Sequence, residues 1–386
     1  MPRKILTGET VLAAARRRIS WLFDQVELGH IKQIICSISG GKDSTVLAHL
    51  ALVEANRRNR RVGLFFLDEE AMYQSTIEQV EYMMQLYPEN TTPLWLQVPF
   101  TLTNATSVSE AELQAWAPGE SARWMRKKRN APGTIKHKPW PEAQERFRSG
   151  CKRLDFYGVI QNFERCYDHT AWLVGLRAKG ESLNRWRAVV DHPVTIGGQQ
   201  VYWGSKRGSN WTLYPVFDWD VSDVWRYIHD EKLQYHKVYD HMHKKGVYPT
   251  QMRISSLIHE RAFKSIADLP EFEPKTYERL LKRIKGIALA QETGKAAKML
   301  KCTKLPKAHK TWAAYRNFLL ATHLDQARRP IFEARFAAQL QNEYVARQQC
   351  RQLVLNDYEN NLPIDNKPDP WQVHRESLLA YYEGVM

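Results

Sequence analysis

The sequence predicts an α/β protein: a doubly wound, mostly parallel sheet followed by a helical C-terminal region. Three observations predict it. Short apolar runs, the first of them β-branched, alternate with stretches of helical apolar spacing from residue 11 to about residue 176, which is the pattern of successive β-α-β units. The first of these runs ends on a glycine turn from which helical spacing restarts at once. From about Val221 onward the period is mostly helical.

Taken in order, VLAAARRRISWLFDQV (residues 11 to 26) puts Val11, Ala15, Ile19, Leu22, Phe23 and Val26 on one stripe and predicts an amphipathic helix. IKQIICSI (31 to 38) reads as the first strand, Ser39-Gly40-Gly41 as the turn, and STVLAHLALVEANRR from Ser44 as the next helix. VGLFFL (62 to 67) is a second strand that stops at Asp68-Glu69-Glu70 and leads into a helical pattern around Ile77 to Leu86. LWLQV (94 to 98) and AWLVGL (171 to 176) supply a third and a fourth. Between them, residues 99 to about 150 lack sustained periodicity and carry Trp116, Trp124, Trp140 and several prolines, so a lid-like insertion is expected there. VVDHPVTIGGQQVYW (189 to 203) reads as a hairpin turning at Gly197-Gly198. The expected organisation is a nucleotide-binding α/β domain over 1–230, containing the 99–150 insertion, and a mostly helical region over 231–386.

A chain of 386 residues, 43% hydrophobic and 25% charged, can bury a sizeable core and is not disordered. No run of about 18 apolar residues occurs, and the N-terminus lacks a signal-peptide apolar stretch; a cytoplasmic protein without a membrane association is expected. Five scattered cysteines with no C-x-x-C pair disfavour a disulfide scaffold, a zinc ribbon and an iron–sulfur cluster. The net charge of +14 is concentrated: 11 Lys/Arg against 3 acids over 120–153, and 11 against 2 over 275–310. Clustered basic charge implies a polyanionic partner, with two solvated faces as the plainer alternative.

Ser39-Gly40-Gly41-Lys42-Asp43-Ser44 carries the chemistry. Glycines at a strand-to-helix turn let backbone approach a ligand, and the first-turn amides of the helix, together with its dipole, favour an anion. Lys42 and the Ser39 and Ser44 hydroxyls add donors. It is neither a Walker A loop, since position 36 is Cys and position 43 is Asp, nor a G-x-G-x-x-G turn.

This segment resembles the S-G-G-x-D-S signature of the PP-loop, or adenine nucleotide alpha-hydrolase, superfamily. Three further segments are similar to its phosphoadenosine phosphosulfate (PAPS) reductase-like branch: Gly175-Leu-Arg177-Ala-Lys-Gly-Glu181-Ser182-Leu-Asn-Arg185, Pro215-Val-Phe-Asp-Trp219-x-x-x-Asp223-Val224-Trp225, and the second-strand acid tract from Asp68. Within the branch, that tract and Leu94 to Trp124 look most like a subgroup often carried by mobile elements. The resemblance covers roughly residues 10 to 270. It implies a HUP-like fold, ATP as ligand, cleavage between the α- and β-phosphates, and Mg²⁺ as cofactor. The E-C-G-x-H segment of the true reductases is missing, because neither Cys302 nor Cys350 has that context.

The resemblance implies that Lys42 and the amides of residues 40 to 44 hold the β- and γ-phosphates, that Asp43 helps hold Mg²⁺, and that Asp68, Arg177, Glu181 and Arg185 line the same sheet edge. A helix cap for Asp43, a surface turn for Asp68 and an Arg–Glu network are the structural alternatives. Trp219, Asp223 and Trp225 are read as core and helix cap. Cys151, with Arg148, Lys152 and Arg153 beside it, is a candidate persulfide carrier; His229, His236, His241 and His243 are read as loop and surface histidines. The function expected is an ATP pyrophosphatase that adenylylates an oxygen for sulfur incorporation, DNA phosphate being favoured over tRNA, with a cysteine desulfurase or other sulfur donor as partner. Trp124, Trp140, Trp312 and Tyr315 would stack bases. The alternatives are a sulfonucleotide enzyme and a nucleotide-sensing regulator acting with a DNA-binding partner.

Overall fold

The structure, a computed structural model, describes residues 9–104, 106, 112–148, 150–178, 193–254, 256–258, 263–287, 305–358, 360 and 364. Glu181 and Arg185 lie outside the described residues, as does Cys302.

Alternation of apolar side chains along short strands builds a sheet with two buried faces. The strands are β1 (Gln33–Ser37), β2 (Val62–Leu67), β3 (Thr91–Leu96), β4 (Phe100–Thr103), β5 (Glu112–Ala115), β6 (Thr134–Ile135), β7 (Thr170–Val174), β8 (Val194–Ile196), β9 (Gln199–Val201), β10 (Gly204–Arg207) and β11 (Asn210–Leu213). Seven of them form one sheet in the order β10-β11-β7-β1-β2-β3-β6, with only β10 antiparallel to its neighbour. β4 pairs with β5, and β8 with β9 across Gly197-Gly198, as separate hairpins. The chain moves one way from β1 through β3 and then returns to the other side of β1 as β7. That reversal puts a topological switch point between β1 and β7, the place where open α/β sheets bind ligands at their carboxyl edge.

Each face has its own helices. α1 (Val11–Glu27), α2 (Lys42–Arg57), α3 (Gln74–Gln85) and α5 (Val221–Asp230) are helices that sequence spacing predicts, and α4 (Phe156–Glu164), on the opposite side, is one it does not single out. Ile34, Cys36, Leu64 and Phe66 turn toward α1, α2, α3 and α5, whereas Ile35, Phe65, Leu67 and Trp172 turn the other way. All six β2 residues are buried, as expected for a parallel strand covered on both sides.

The second face shows where the expected insertion and the expected boundary near residue 230 fall. Of the described residues of the 99–150 insertion, the β4–β5 hairpin, Trp116 (0% exposed) and Trp140 pack into the core beneath the sheet, β6 extends the sheet edge beside β3, and most of 118–139 stays exposed or half-buried. Apolar residues of this irregular-looking stretch belong to the same core cluster as Phe65 and Leu96. The same core takes in residues beyond 230, namely Val238, Leu257, Ile266, Leu269, Leu280 and Ile287. These come from α6 (Val238–Lys244), α7 (Phe263–Phe272), α8 (Pro274–Arg283) and their flanking turns. A smaller cluster, Phe332, Phe336, Leu353 and Tyr358, holds together α9 (Trp312–Ala321), α10 (Arg329–Ala337) and α11 (Glu343–Val354). It is tied to β5 by an Arg328–Glu112 ion pair of 2.6 Å. Among the described residues, no helix is long and apolar enough to cross a membrane.

Candidate functional site

The loop after β1 is shaped by two close approaches. Gly40 has φ +74°, and a Cβ there would lie 3.1 Å from Thr76 Cγ2. Gly175, just past β7, lies so close to α2 that a Cβ would meet the Asp43 carbonyl carbon and oxygen at 2.9 Å. Small residues at both positions therefore let the ends of β1 and β7 converge on the start of α2.

That helix start has no side-chain cap. Gly41 is the residue preceding it, with extended backbone and no cap hydrogen bond. The Ser44 hydroxyl donates to Gly41 O at 3.0 Å and accepts from Ser39 N–H at 3.2 Å, which ties the turn together. The first-turn amides of Asp43 and Ser44 have no carbonyl one turn back within the helix, so they and the helix dipole face the switch point as an anion-binding end.

Lys42, Asp43 and Arg177 form a chain of charges across this point. Arg177 Nε bonds Asp43 Oδ1, and Lys42 Nζ lies 3.1 Å from Asp43 Oδ2. Lys42 is only 3% exposed. Its ammonium donates to Met252 O at 3.0 Å and sits 5.3 Å from the centroid of the Tyr239 ring, while its backbone N–H donates to the Tyr239 hydroxyl at 3.1 Å. Burial pulls the Lys42 pKa down, opposed by Asp43, and pushes the Tyr239 phenol up. Asp43, expected as a metal ligand, has both carboxylate oxygens engaged by cations. A divalent ion needs several free oxygen ligands, and this arrangement does not provide them; among the described residues no three His, Cys, Asp or Glu side chains could hold a metal.

Asp68 is at the carboxyl edge as expected, but it is neither a surface turn nor open to a ligand. It is fully buried. It accepts from Trp95 Nε1 (2.9 Å), Gln97 Nε2 (2.8 Å), Glu70 N–H (3.0 Å) and the Arg126 guanidinium. Sequence reasoning passed over the residue that organises this edge, Glu70. It is fully buried at φ +64°, a left-handed conformation uncommon outside glycine. Its carboxylate accepts from Trp116 N–H (2.7 Å), Met125 N–H (3.2 Å) and Arg283 Nε (2.6 Å). Arg126, in the first basic cluster, and Arg283, in the second, are thereby structural cations. So are Arg129, stacked on Trp95 and bonded to Glu81, and Lys138, bonded to Glu145.

The four histidines separate. His236 is buried beside the loop, with Nε2 2.8 Å from Thr76 Oγ1 and Nδ1 accepting from Val238 N–H; burial lowers its pKa to about 3. His241 lies 3.8 Å from Asp268, and His229 and His243 are exposed. His236 thus departs from the surface reading. Burial raises the Cys151 thiol to about 11, and a 3.2 Å bond to Asp155 adds to it. The neighbouring arginines do not outweigh these effects, which removes the basis for an activated persulfide carrier. Cys36 and Cys350 are buried, and burial also raises Cys166. Trp219 is core, and Asp220 and Asp223 form the capping box of α5. Trp140 is buried, so it offers no face to a base; Trp124, Trp312 and Tyr315 are half-buried.

Comparison with known proteins completes the picture. The phosphoadenosine phosphosulfate reductase domain matches residues 33–274, and a domain of unknown function (DUF3440) matches residues 246–360. Over 290 residues the chain is 26% identical to the uncharacterized protein YbdN of Escherichia coli (strain K12), covering 74% of this chain and 68% of that protein. Among solved structures, PAPS reductase from Candida auris in a phosphate complex is 13% identical, with a TM-score of 0.35 over 63% of this chain and 88% of that one. Candida glabrata FMN adenylyltransferase is 11% identical, with a TM-score of 0.34 over 61% of this chain and 62% of that one.

Proposed function

Because the chain belongs to the phosphoadenosine phosphosulfate reductase domain family, we propose that it is an adenine-nucleotide enzyme of the ATP pyrophosphatase kind. The observation that carries this reading is the uncapped start of α2 at the β1/β7 switch point, flanked by Arg177. In the proposed reaction an acceptor oxygen attacks the α-phosphorus of ATP, the bond to the bridging oxygen breaks, and pyrophosphate leaves. The departing charge needs fixed donors. The amides of Asp43 and Ser44 in the first turn of α2 and the Arg177 guanidinium would supply them, and Asp43 acts as a positioning residue that holds Arg177 and Lys42. No step is assigned to a protein-bound Mg²⁺, since the carboxylates here are already paired.

The acceptor proposed is a nucleic-acid oxygen, DNA phosphate before tRNA, with sulfur brought by a cysteine desulfurase or another donor protein. Two things support this. The basic excess suits a polyanion. The described cysteines are buried or have raised pKa values, which disfavours this chain as its own thiolate and equally disfavours sulfonucleotide reduction.

The test is direct. Purified protein incubated with ATP and Mg²⁺ is expected to release AMP and pyrophosphate; ADP and orthophosphate as the only products would overturn the reading. Asp43→Asn is expected to lower turnover more than tenfold with a small change in melting temperature. A pure helix-cap role predicts instead about 1 kcal/mol of lost stability and near-normal turnover.

A further inference from the structure

The two basic clusters that the sequence separates by more than a hundred residues meet in space. Arg283 is the link. From the buried side of α8 it bonds Glu70, donates to Gln114 O at 2.9 Å and lies 3.6 Å from Glu120. Thr276, Leu280 and Arg283, spaced four and three residues apart, form the inner face of α8. Lys275, Arg279 and Lys282 are exposed and, at the same period, share one solvent-facing flank of the helix, with Glu278 as the one exposed acid beside them. Their charges recur about once per turn, roughly every 5.4 Å. Arg123 and Lys127, also exposed, follow Glu120 on the adjoining stretch of the insertion, and Arg123 pairs at 3.4 Å with the same Glu120 carboxylate that Arg283 approaches.

We propose that the outer face of α8 and the Arg123–Lys127 stretch form one docking surface for a nucleic-acid backbone. This deepens the function proposed above by naming where its acceptor would sit. The surface is anchored through Glu70, three residues beyond the end of β2. The phosphate loop begins two residues beyond the end of β1, and β1 and β2 run parallel in register. A strand lying on the basic surface is therefore delivered to the sheet edge where the proposed nucleotide site opens. A small phosphate ligand would require a concave cradle with convergent donors, whereas charges repeating along the exposed side of a helix suit a continuous polyanion.

The experiment reads the salt dependence of binding to fluorescent single-stranded and duplex oligonucleotides of mixed sequence, without ATP. Arg279→Glu/Lys282→Glu is compared with Lys206→Glu/Arg226→Glu, which changes net charge equally at exposed residues on α5 and on β10, the strand at the opposite edge of the sheet from β6 of the insertion. For duplex DNA, the first variant should lose about 2 from the slope of log affinity against log salt, since each lost phosphate contact contributes about 0.9. The second should lose much less. Equal losses in both variants, no loss in either, or no binding by the wild-type protein would overturn the proposal. Arg279→Gln/Lys282→Gln, with a melting curve, guards against misfolding by charge reversal and should reduce the slope in the same direction. Release of AMP and pyrophosphate from ATP alone is measured in parallel. Its loss in the wild type would sink the enzymatic reading and leave the docking surface standing; loss of binding alone does the reverse.

Discussion

At His236 a single ring connects protonation to the integrity of the phosphate loop. Burial holds its pKa at about 3, against 6.5 for an exposed imidazole. The unfolded chain therefore takes up the proton first as pH falls. The stability that the neutral ring contributes is complete above about pH 6.5 and is lost progressively down to about pH 3, by at most about 1.4 kcal/mol per unit. His236→Gln should be less stable than wild type at pH 7.5, and urea unfolding at pH 4.5 should show the gap narrowed; an unchanged gap would mean that the ring titrates alike in both states. Arg283 is a second test at this scale. It is 4% exposed against a fully buried Glu70, and removing one partner of a buried pair leaves a charge uncompensated. Arg283→Met is expected to cost about 3 kcal/mol. Neither residue was legible in the sequence. His236 sits among three other histidines with nothing in its spacing to distinguish it, and Arg283 is separated from Glu70 by 213 residues.

Elements were far more legible than these contacts, because helices and strands declare themselves within a few residues. The run of Ile34, Ile35 and Cys36 followed by Gly40-Gly41 specifies a strand, a turn and a helix with no outside help. The insertion hid its order for the opposite reason: β4, β5 and β6 are two to four residues long, too short for a period to emerge, and only the sheet face they cover explains their tryptophans. The junction of β7 with α2 is open to test. Gly175→Ala would place a methyl carbon 2.9 Å from the Asp43 backbone, and the two elements must separate to accept it. The expected result is a loss of about 1–3 kcal/mol, together with a loss of AMP formation larger than the change in melting temperature explains. The start of α3 depends on a distant partner as well. The Glu273 carboxylate accepts from the amides of Gln74 (2.7 Å) and Ser75 (2.9 Å) and from the Ser75 hydroxyl. Glu273→Ala should cost about 1 kcal/mol and speed amide hydrogen exchange selectively in the first turn of α3.

For the whole molecule, the division expected near residue 230 is crossed by the packing. The core on the sheet's second face takes in Val238, Leu257, Ile266, Leu269, Leu280 and Ile287, and the phosphate loop itself is held from that side by Tyr239 and Met252. The family could be read from local motifs, but the fact that the loop after β1 is finished by chain more than 190 residues away could not. Glu70 and Arg283 give this a time dimension. On a ribosome adding about 5–20 residues per second, the carboxylate precedes its guanidinium by roughly 10–40 s. Throughout that interval the insertion lacks its clasp, and Phe65, joined by Trp172 about halfway through, lies under an incomplete cover. Stalled nascent chains ending at residue 240 should therefore be cut by protease between residues 99 and 150, whereas chains long enough to free residue 290 from the exit tunnel should resist. The protein would spend the latter part of its synthesis as a client of whatever shields apolar surface at the tunnel mouth.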